Sequence, residues 1–322
     1  MLESILLAEL GDDGSGEDPT VNELERVFAS MVGKEAAVLV PSGVMANQAC
    51  VRALCPSGSA VVAGAHSHVL GYEMGASAIN SGVQFAPIPD DAGALEPSDV
   101  ALAIESEQHH QPHIGLVSLE NTLMYPGGTV LSAARTAALV AAAAGRPVHL
   151  DGARLFNAAV ATGESLAALA APATTVTACL SKGLCAPVGS VIAGSTTVME
   201  RVRVERKRLG GAMRQAGIIA APGLVALRTM VERLADDHRR ARELAHAVAR
   251  ALPEVGLDPT RCVTNIVVFD HPSASKVVAH LAEVGVLAST LSPDRVRFVT
   301  HAGVDDAMTE RACAAVASLR GL

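Results

Sequence analysis

The sequence predicts an α/β protein: a large domain on a mostly parallel seven-stranded sheet, then a smaller C-terminal α+β domain. Three observations predict it. Short apolar runs alternate with Ala-rich helical stretches through the first part of the 322 residues, the pattern of a parallel sheet covered on both faces. Half the residues are hydrophobic and 18% are charged, which supplies a large core and argues against a disordered chain. From about Thr196 the alternation gives way to long helices and then to short strand–helix units.

The elements follow in order. Asp18-Pro19-Thr20 opens a helix over Val21–Val32, with Asp or Thr as the cap and Glu23 in support. Candidate strands are Ala36–Val40, Ala60–Ala63, Gln84–Ile88, Gly115–Leu119, Pro147–Asp151, Thr175–Leu180 and Ser190–Ala193, with a helix over Ser132–Ala144 among the intervening ones. Glu200–Arg208 reads as a charged helix and Ala216–Ala251 as long helices. Thr264–Phe269 and Arg295–Thr300 read as strands, and Ser273–Glu283 and Val304–Leu319 as helices. The large domain is expected over 1–220 and the smaller one over 221–322.

Composition excludes several function classes. There is no Trp, and two Tyr and five Phe leave aromatics at 2%, so the core is aliphatic and base stacking on nucleic acid is not expected. A net charge of -8 argues against a polyanion partner. The six Cys show no CxxC or zinc spacing, which predicts reduced core thiols, a cytoplasmic setting and no metal. The N-terminal MLESILLAEL carries Glu3 and Glu9 and has no basic flank, so no signal peptide is expected. No apolar run approaches a membrane span.

Five local features carry chemistry. Lys182 follows an apolar strand within Cys179-Leu-Ser-Lys-Gly-Leu184; a desolvated Lys loses its proton more easily and then attacks carbonyls to form imines. Asp151 ends the apolar run of Pro147–Asp151, where open α/β sheets bind ligands, and Arg154 follows. Pro41-Ser-Gly-Val44, with Ser42 and Gly43 at its centre, joins a strand to a helix whose first amides can cradle a phosphate. His66 and His68 precede another helix, and an imidazole there can stack on a ring or carry a proton. Arg295 and Arg297 share a strand face and suit a carboxylate. Singly, each also fits an ordinary role: a snorkelling Lys, a capping Asp, a common Ser-Gly turn, a core His, solvated Arg side chains. Jointly they match one cofactor, pyridoxal phosphate, which needs an imine-forming Lys, an acid for its ring nitrogen, a phosphate cradle and a stacking group, with an Arg for the substrate carboxylate.

With these motifs in hand, the chain resembles the threonine aldolase family, in the β-eliminating lyase group of fold-type I pyridoxal-phosphate enzymes. The likeness also rests on Gly16-Glu-Asp-Pro-Thr-Val-Asn-Glu-Leu24, Ser118-Leu-Glu-Asn-Thr122, His149-Leu-Asp-Gly-Ala-Arg154, Gly210-Gly-Ala-Met-Arg-Gln-Ala-Gly217 and Val296-Arg-Phe-Val-Thr-His301. It implies an aspartate-aminotransferase-like large domain and a homotetramer with shared active sites. It implies that Lys182 forms the imine, Asp151 pairs with the ring nitrogen and His68 stacks on the ring and assists proton transfer. Ser42, Gly43 and Val44 would bind phosphate, and Arg154 and Arg297 would grip the substrate carboxylate. The implied reaction is cleavage of a β-hydroxy-α-amino acid to glycine and an aldehyde. Alternatives are β-elimination, transamination or racemisation of an amino acid, or a cofactor-binding protein without catalysis.

The sequence departs from the family at several places. The family's usual opening segment, like Asp-Leu-Arg-Ser-Asp-Thr, does not occur before Gly11, through an incomplete start or a true loss, and is set apart from the changes that follow. Ser15 stands for a Tyr, Val44 for a Thr, Gly71 for a bulky aromatic and Leu123 for a His, and an Arg is replaced around His113. These departures predict a remodelled, roomier substrate side.

Overall fold

The computed structural model describes residues 1–90 and 95–319. The last three residues of the expected C-terminal domain, 320–322, lie outside the described residues. The chain divides into two compact units, one of Met1–Thr122 with Leu131–Val231 and one of Leu123–Val130 with Glu232–Leu322. Where composition put the change at 220/221, the units divide at 231/232. The physical reason is the helix Gly217–Thr229, which packs on the helix Pro19–Val32. At Gly223 a Cβ would stand 2.9 Å from a Leu180 methyl and 3.3 Å from a Leu24 methyl, so any larger residue would have to push these leucines aside.

The first unit holds a seven-stranded sheet. In chain order its strands are β1 (Ala36–Val40), β2 (Ala60–Gly64), β3 (Gln84–Ile88), β4 (Ile114–Glu120), β5 (Val148–Asp151), β6 (Thr175–Cys179) and β7 (Ser190–Gly194), arranged β1-β7-β6-β5-β4-β2-β3. Strands β3, β2, β4, β5 and β6 run parallel, and β7 is antiparallel to both β6 and β1. The mostly parallel seven-stranded sheet is therefore as the alternation predicts, with boundaries shifted by one residue at most. Central strands are wholly buried, as expected of a sheet covered on two faces. β1 shares the direction of β6, so the carboxyl ends of β1, β2, β4, β5 and β6 lie along one end of the sheet.

Local chemistry explains the helices that matter. Asp18, not Thr20, caps Pro19–Val32: its Oδ1 accepts from the Thr20 and Val21 amides at 3.1 and 3.0 Å, while Oδ2 accepts from Gly217 N at 2.8 Å. The helix Gly43–Leu54 is capped by Ser42, whose Oγ accepts from Met45 N at 3.2 Å. It and the charged helix Thr196–Arg208 pack aliphatic faces (Ala46, Ala49, Val198, Val202) on Val38, Val40 and Ile192.

The second unit has a three-stranded antiparallel sheet of β8 (Ile266–Asp270), β9 (Ser289–Ser292) and β10 (Arg295–Val299), ordered β8-β10-β9. β9 is a short, half-exposed strand whose polar sequence carries no strand signal. The helices Leu234–Ala251, Ala274–Glu283 and Asp306–Ala317 supply its other elements, with Val248, Val277, Leu281 and Val316 in its core. Each unit pairs two of its phenylalanine rings: Phe28 with Phe156 at 6.4 Å in the first, Phe269 with Phe298 at 6.1 Å in the second. The segment Leu123–Val130 belongs here because Thr264 Oγ1 donates to Gly128 O at 2.8 Å and Arg295 lies 4.4 Å over the Tyr125 ring. Among the described residues no helix is long and apolar enough to cross a membrane.

Candidate active site

Parallel strands end together, so the segments that follow them converge. The turn after β1 brings Ser42, Gly43 and Val44, β5 ends on Asp151, and the loop after β6 carries Lys182. The segment after β2 brings His68. All six line one cavity of about 270 Å³, together with Asn47, Ala153, Cys179 and Ser181. Larger hollows of about 590, 480 and 410 Å³ lie elsewhere in the first unit, and none of the three has a His in its lining or brings a Lys and a His together. Chemistry rather than size therefore singles out the smaller cavity.

The floor of the cavity is a buried polar network. Asp151 accepts from Asn47 Nδ2 at 2.8 Å, and the same Nδ2 donates to Glu73 Oε1 at 2.7 Å. Two acceptor-only carboxylates orient the Asn47 amide, so its Oδ1 faces His149 Nε2 at 3.0 Å. Burial pushes the His149 imidazole down to about 4, against the pull of Asp151. It is therefore neutral at neutral pH: Nε2–H donates to Asn47, and Nδ1 accepts from the Thr175 hydroxyl at 2.9 Å. Burial also pushes the Asp151 carboxyl up. The Lys182 charge, the Asn47 hydrogen bond and the charge of a protonated His68 outweigh it, and the net shift is downward. Asp151 is thus a buried anion facing the cavity.

His68 sits at its rim. Its Nδ1 lies 3.0 Å from Glu73 Oε1, and its backbone N–H donates to Glu120 Oε2 at 2.8 Å. The Glu73 hydrogen bond raises the His68 pKa, opposed by burial and the Lys182 charge and assisted by Asp151. The Tyr72 ring stacks on the imidazole at 5.7 Å and 26°.

The helix start is built for close approach. A Cβ on Gly43 would lie 2.8 Å from Cys179 Sγ, so the backbone itself lines the cavity. The amides of Gly43 and Val44 have no intrahelical acceptor, as the first turn of any helix requires.

The remaining expected residues stand elsewhere. Arg154 is half-buried at the head of the helix Leu155–Thr162 and is not part of the cavity wall. Arg297 lies in the second unit on β10, 3.2 Å from Ser289 Oγ and 3.5 Å from Met124 Sδ. Its neighbour Arg295 is bound to both oxygens of Asp270 at 2.6 and 2.9 Å. Ser15 is an exposed turn residue. His113 stands at the amino end of β4, the far end from Glu120, where Glu107 holds it at 2.9 Å. It lies away from the cavity, so the change there does not alter the cavity wall. Leu123 is buried in the second unit. At Gly71 a Cβ meets nothing within 4 Å, and the next residue, Tyr72, supplies the ring beside His68.

Sequence reasoning missed Asn47, Glu73, His149 and Tyr72 as site residues. A signal was available: Asn47-Gln48 are polar on the inward face of an otherwise apolar helix, and a buried amide requires partners.

Comparison with known proteins agrees with this geometry. The beta-eliminating lyase profile matches residues 1–272. The chain belongs to the beta-eliminating lyase family. Among family members, the probable low-specificity L-threonine aldolase 2 of Arabidopsis thaliana is 38% identical over 314 residues, covering 94% of this chain and 88% of that protein. The low specificity L-threonine aldolase of Escherichia coli O157:H7 is 38% identical over 309 residues, covering 94% and 90%. The solved threonine aldolase of Leishmania major superposes with a TM-score of 0.79 over 95% of this chain and 91% of that one, at 20% identity, a likeness of fold.

Proposed function

We propose that this beta-eliminating lyase family member is a pyridoxal-phosphate-dependent, threonine-aldolase-like lyase that cleaves a β-hydroxy-α-amino acid to glycine and an aldehyde. One observation carries the reading: a lysine, a buried carboxylate and a helix start with open amides line one cavity. That donor set fits the cofactor. Lys182 would hold it by its carbonyl carbon, Asp151 would pair with its ring nitrogen, and the Gly43 and Val44 amides would hold its phosphate, with Ser42 beside them. When bound, the cofactor supplies an electron sink for a bond breaking at the substrate Cα.

The chain's own residues do the rest. Asn47 holds Asp151 in place, and the neutral His149 behind it keeps that amide from turning. His68, tied by Nδ1, has Nε2 to accept or return a proton. Arg154 and Arg297 are proposed to grip the substrate carboxylate, since a guanidinium binds a carboxylate in two-point fashion. A roomier substrate side is proposed on the changed residue types alone: Gly71 has open space at its side, while the next residue, Tyr72, places a ring beside His68.

A second reading is another reaction on an amino acid: β-elimination, transamination or racemisation. It is favoured by Leu123, a buried aliphatic residue that brings no base where the family resemblance leads one to expect His. Cofactor binding without catalysis is the third. Incubating the cofactor-loaded protein with small and aromatic β-hydroxy-amino acids separates them. Glycine plus aldehyde is expected. A keto acid, ammonia or an inverted α-carbon without glycine supports the second reading, and no product from any substrate supports the third.

We place the protein in the cytoplasm on its six cysteines, all of them free thiols. We also propose a homotetramer with shared sites, supported by the exposed Met74 and Ile79 shortly after His68. Light scattering on the purified protein gives the assembly mass that decides it.

A further inference from the structure

We infer that Glu73 and Asn47 are positioning residues: Glu73 holds His68 by Nδ1, making Nε2 its proton-exchanging nitrogen, and Asn47 ties that carboxylate to Asp151. The inference rests on the functional reading above, in which His68 and Asp151 serve an amino-acid cofactor site.

Glu73 has a fully buried side chain, yet its three donors are all side chains of this network. Asn47 Nδ2 and Gln48 Nε2 donate at 2.7 Å each, and His68 Nδ1 lies at 3.0 Å. Gln48 Nε2 also donates to Ser77 Oγ at 3.0 Å, which fixes the second oxygen of Glu73 from behind. A carboxylate only accepts, so the proton on the neutral imidazole belongs on Nδ1. Among the described residues no protein partner meets Nε2. The stacked Tyr72 ring holds the plane of the imidazole.

Asn47 solves an electrostatic problem. Single ligand atoms of His68, Glu73 and Asp151 lie within 4.8 Å of one another, so two carboxylates share a dry site. Like charges that close repel unless a donor stands between them. The Asn47 amide is that donor, reaching Glu73 and Asp151 at once. Any shift of one carboxylate is thereby passed to the other. The proton carrier and the ring-nitrogen acid are held in one rigid unit.

The charged groups facing His68 are Glu73 on its own segment, Asp151 at the end of β5, Lys182 on the loop after β6 and Glu120 at the end of β4, which takes its backbone N–H. The Glu73 hydrogen bond is the leading influence and raises the imidazole. Losing it therefore moves the His68 titration to lower pH.

The test is ¹⁵N NMR of histidine side chains in the cofactor-loaded protein across pH, with His68 assigned through His68→Gln. Wild type should show the Nδ1–H tautomer when neutral. Glu73→Gln should shift that tautomer toward Nε2–H, lower the titration midpoint and cut kcat by about 100-fold, as misplacement of a reacting group does. Glu73→Asp keeps the charge and disturbs the network less, and should fall between the two. A purely structural role would lower the melting temperature without moving tautomer or midpoint. If folded Glu73→Gln keeps the wild-type tautomer and midpoint, the inference is overturned. The cofactor's visible band is recorded on the same samples. Wild type that takes up no pyridoxal phosphate defeats the functional reading, whereas loaded wild type and variant with identical His68 signals defeat this inference alone.

Discussion

Replacing Gly43 by Ala tests how the cradle is built. In an ordinary helix Ala is favoured over Gly by about 1 kcal/mol. Here the new methyl would sit 2.8 Å from Cys179 Sγ and 3.6 Å from Ser190 Oγ. Cys179 cannot easily yield: it is 5% exposed, on a central strand, with Ser190 Oγ donating to its sulfur at 3.2 Å. Overpacking of this kind costs about 1–3 kcal/mol. The balance is a net loss of about 0–2 kcal/mol in stability. The larger effect falls on the cofactor, because the helix start must shift and the Gly43 and Val44 amides shift with it. We expect pyridoxal-phosphate affinity to fall about tenfold or more, equivalent to about 1.4 kcal/mol. Urea unfolding and absorbance titration of the cofactor measure the two quantities. Cys179→Ala in the same chain removes the obstructing sulfur and should restore part of both, giving a coupling energy of about 1–2 kcal/mol. Gly43→Ala with wild-type cofactor affinity and no coupling to Cys179 would refute the cradle.

Three further outcomes are expected. Lys182→Ala should abolish the visible absorption of the bound cofactor; full colour in that variant contradicts the assignment. Gly71→Phe should fold normally, since its Cβ meets open space, and should narrow the range of accepted substrates; an unchanged range puts the substrate pocket elsewhere. Stability should fall in acid. His149 is held down at about 4 by burial against an ordinary value of about 6.5, so its contribution is present above pH 6.5 and is lost as pH falls through 4. The worth of that one group is about 3 kcal/mol. Urea unfolding at stepped pH measures it, and His149→Gln should flatten the slope between pH 6.5 and 4; an identical slope removes His149 as the cause.

Much of the fold was legible because each strand of the large sheet is short, apolar and bounded by turn residues, and such runs have one comfortable place in a parallel sheet. Lys182, Asp151, Ser42 and Gly43 were legible for a related reason: chemistry-bearing residues at the carboxyl ends of buried strands stand out against aliphatic neighbours. His113 and Ser15 are as visible in the sequence, yet a linear sequence carries no information about which end of the sheet a flanking residue occupies. His113 lies at the amino end of β4, away from the cavity. Gly71 carries no ring, and the next residue, Tyr72, lies on the face of His68.

The sequence by itself determined the strand–helix order and the aliphatic core, and it singled out Lys182 and Asp151, the lysine and the acid proposed for the cofactor. These depend on local periodicity and on residue type, which a single chain displays directly. Only the tertiary structure decided that Asn47, Glu73 and His149 join Asp151 and His68 in one network, and that residues 123–130 belong with the C-terminal unit. Those facts depend on contacts between residues as far apart as Asn47 and Asp151, or Gly128 and Thr264. Such contacts are set by the direction in which strands leave the sheet and by burial, which obliges every enclosed polar group to find a partner.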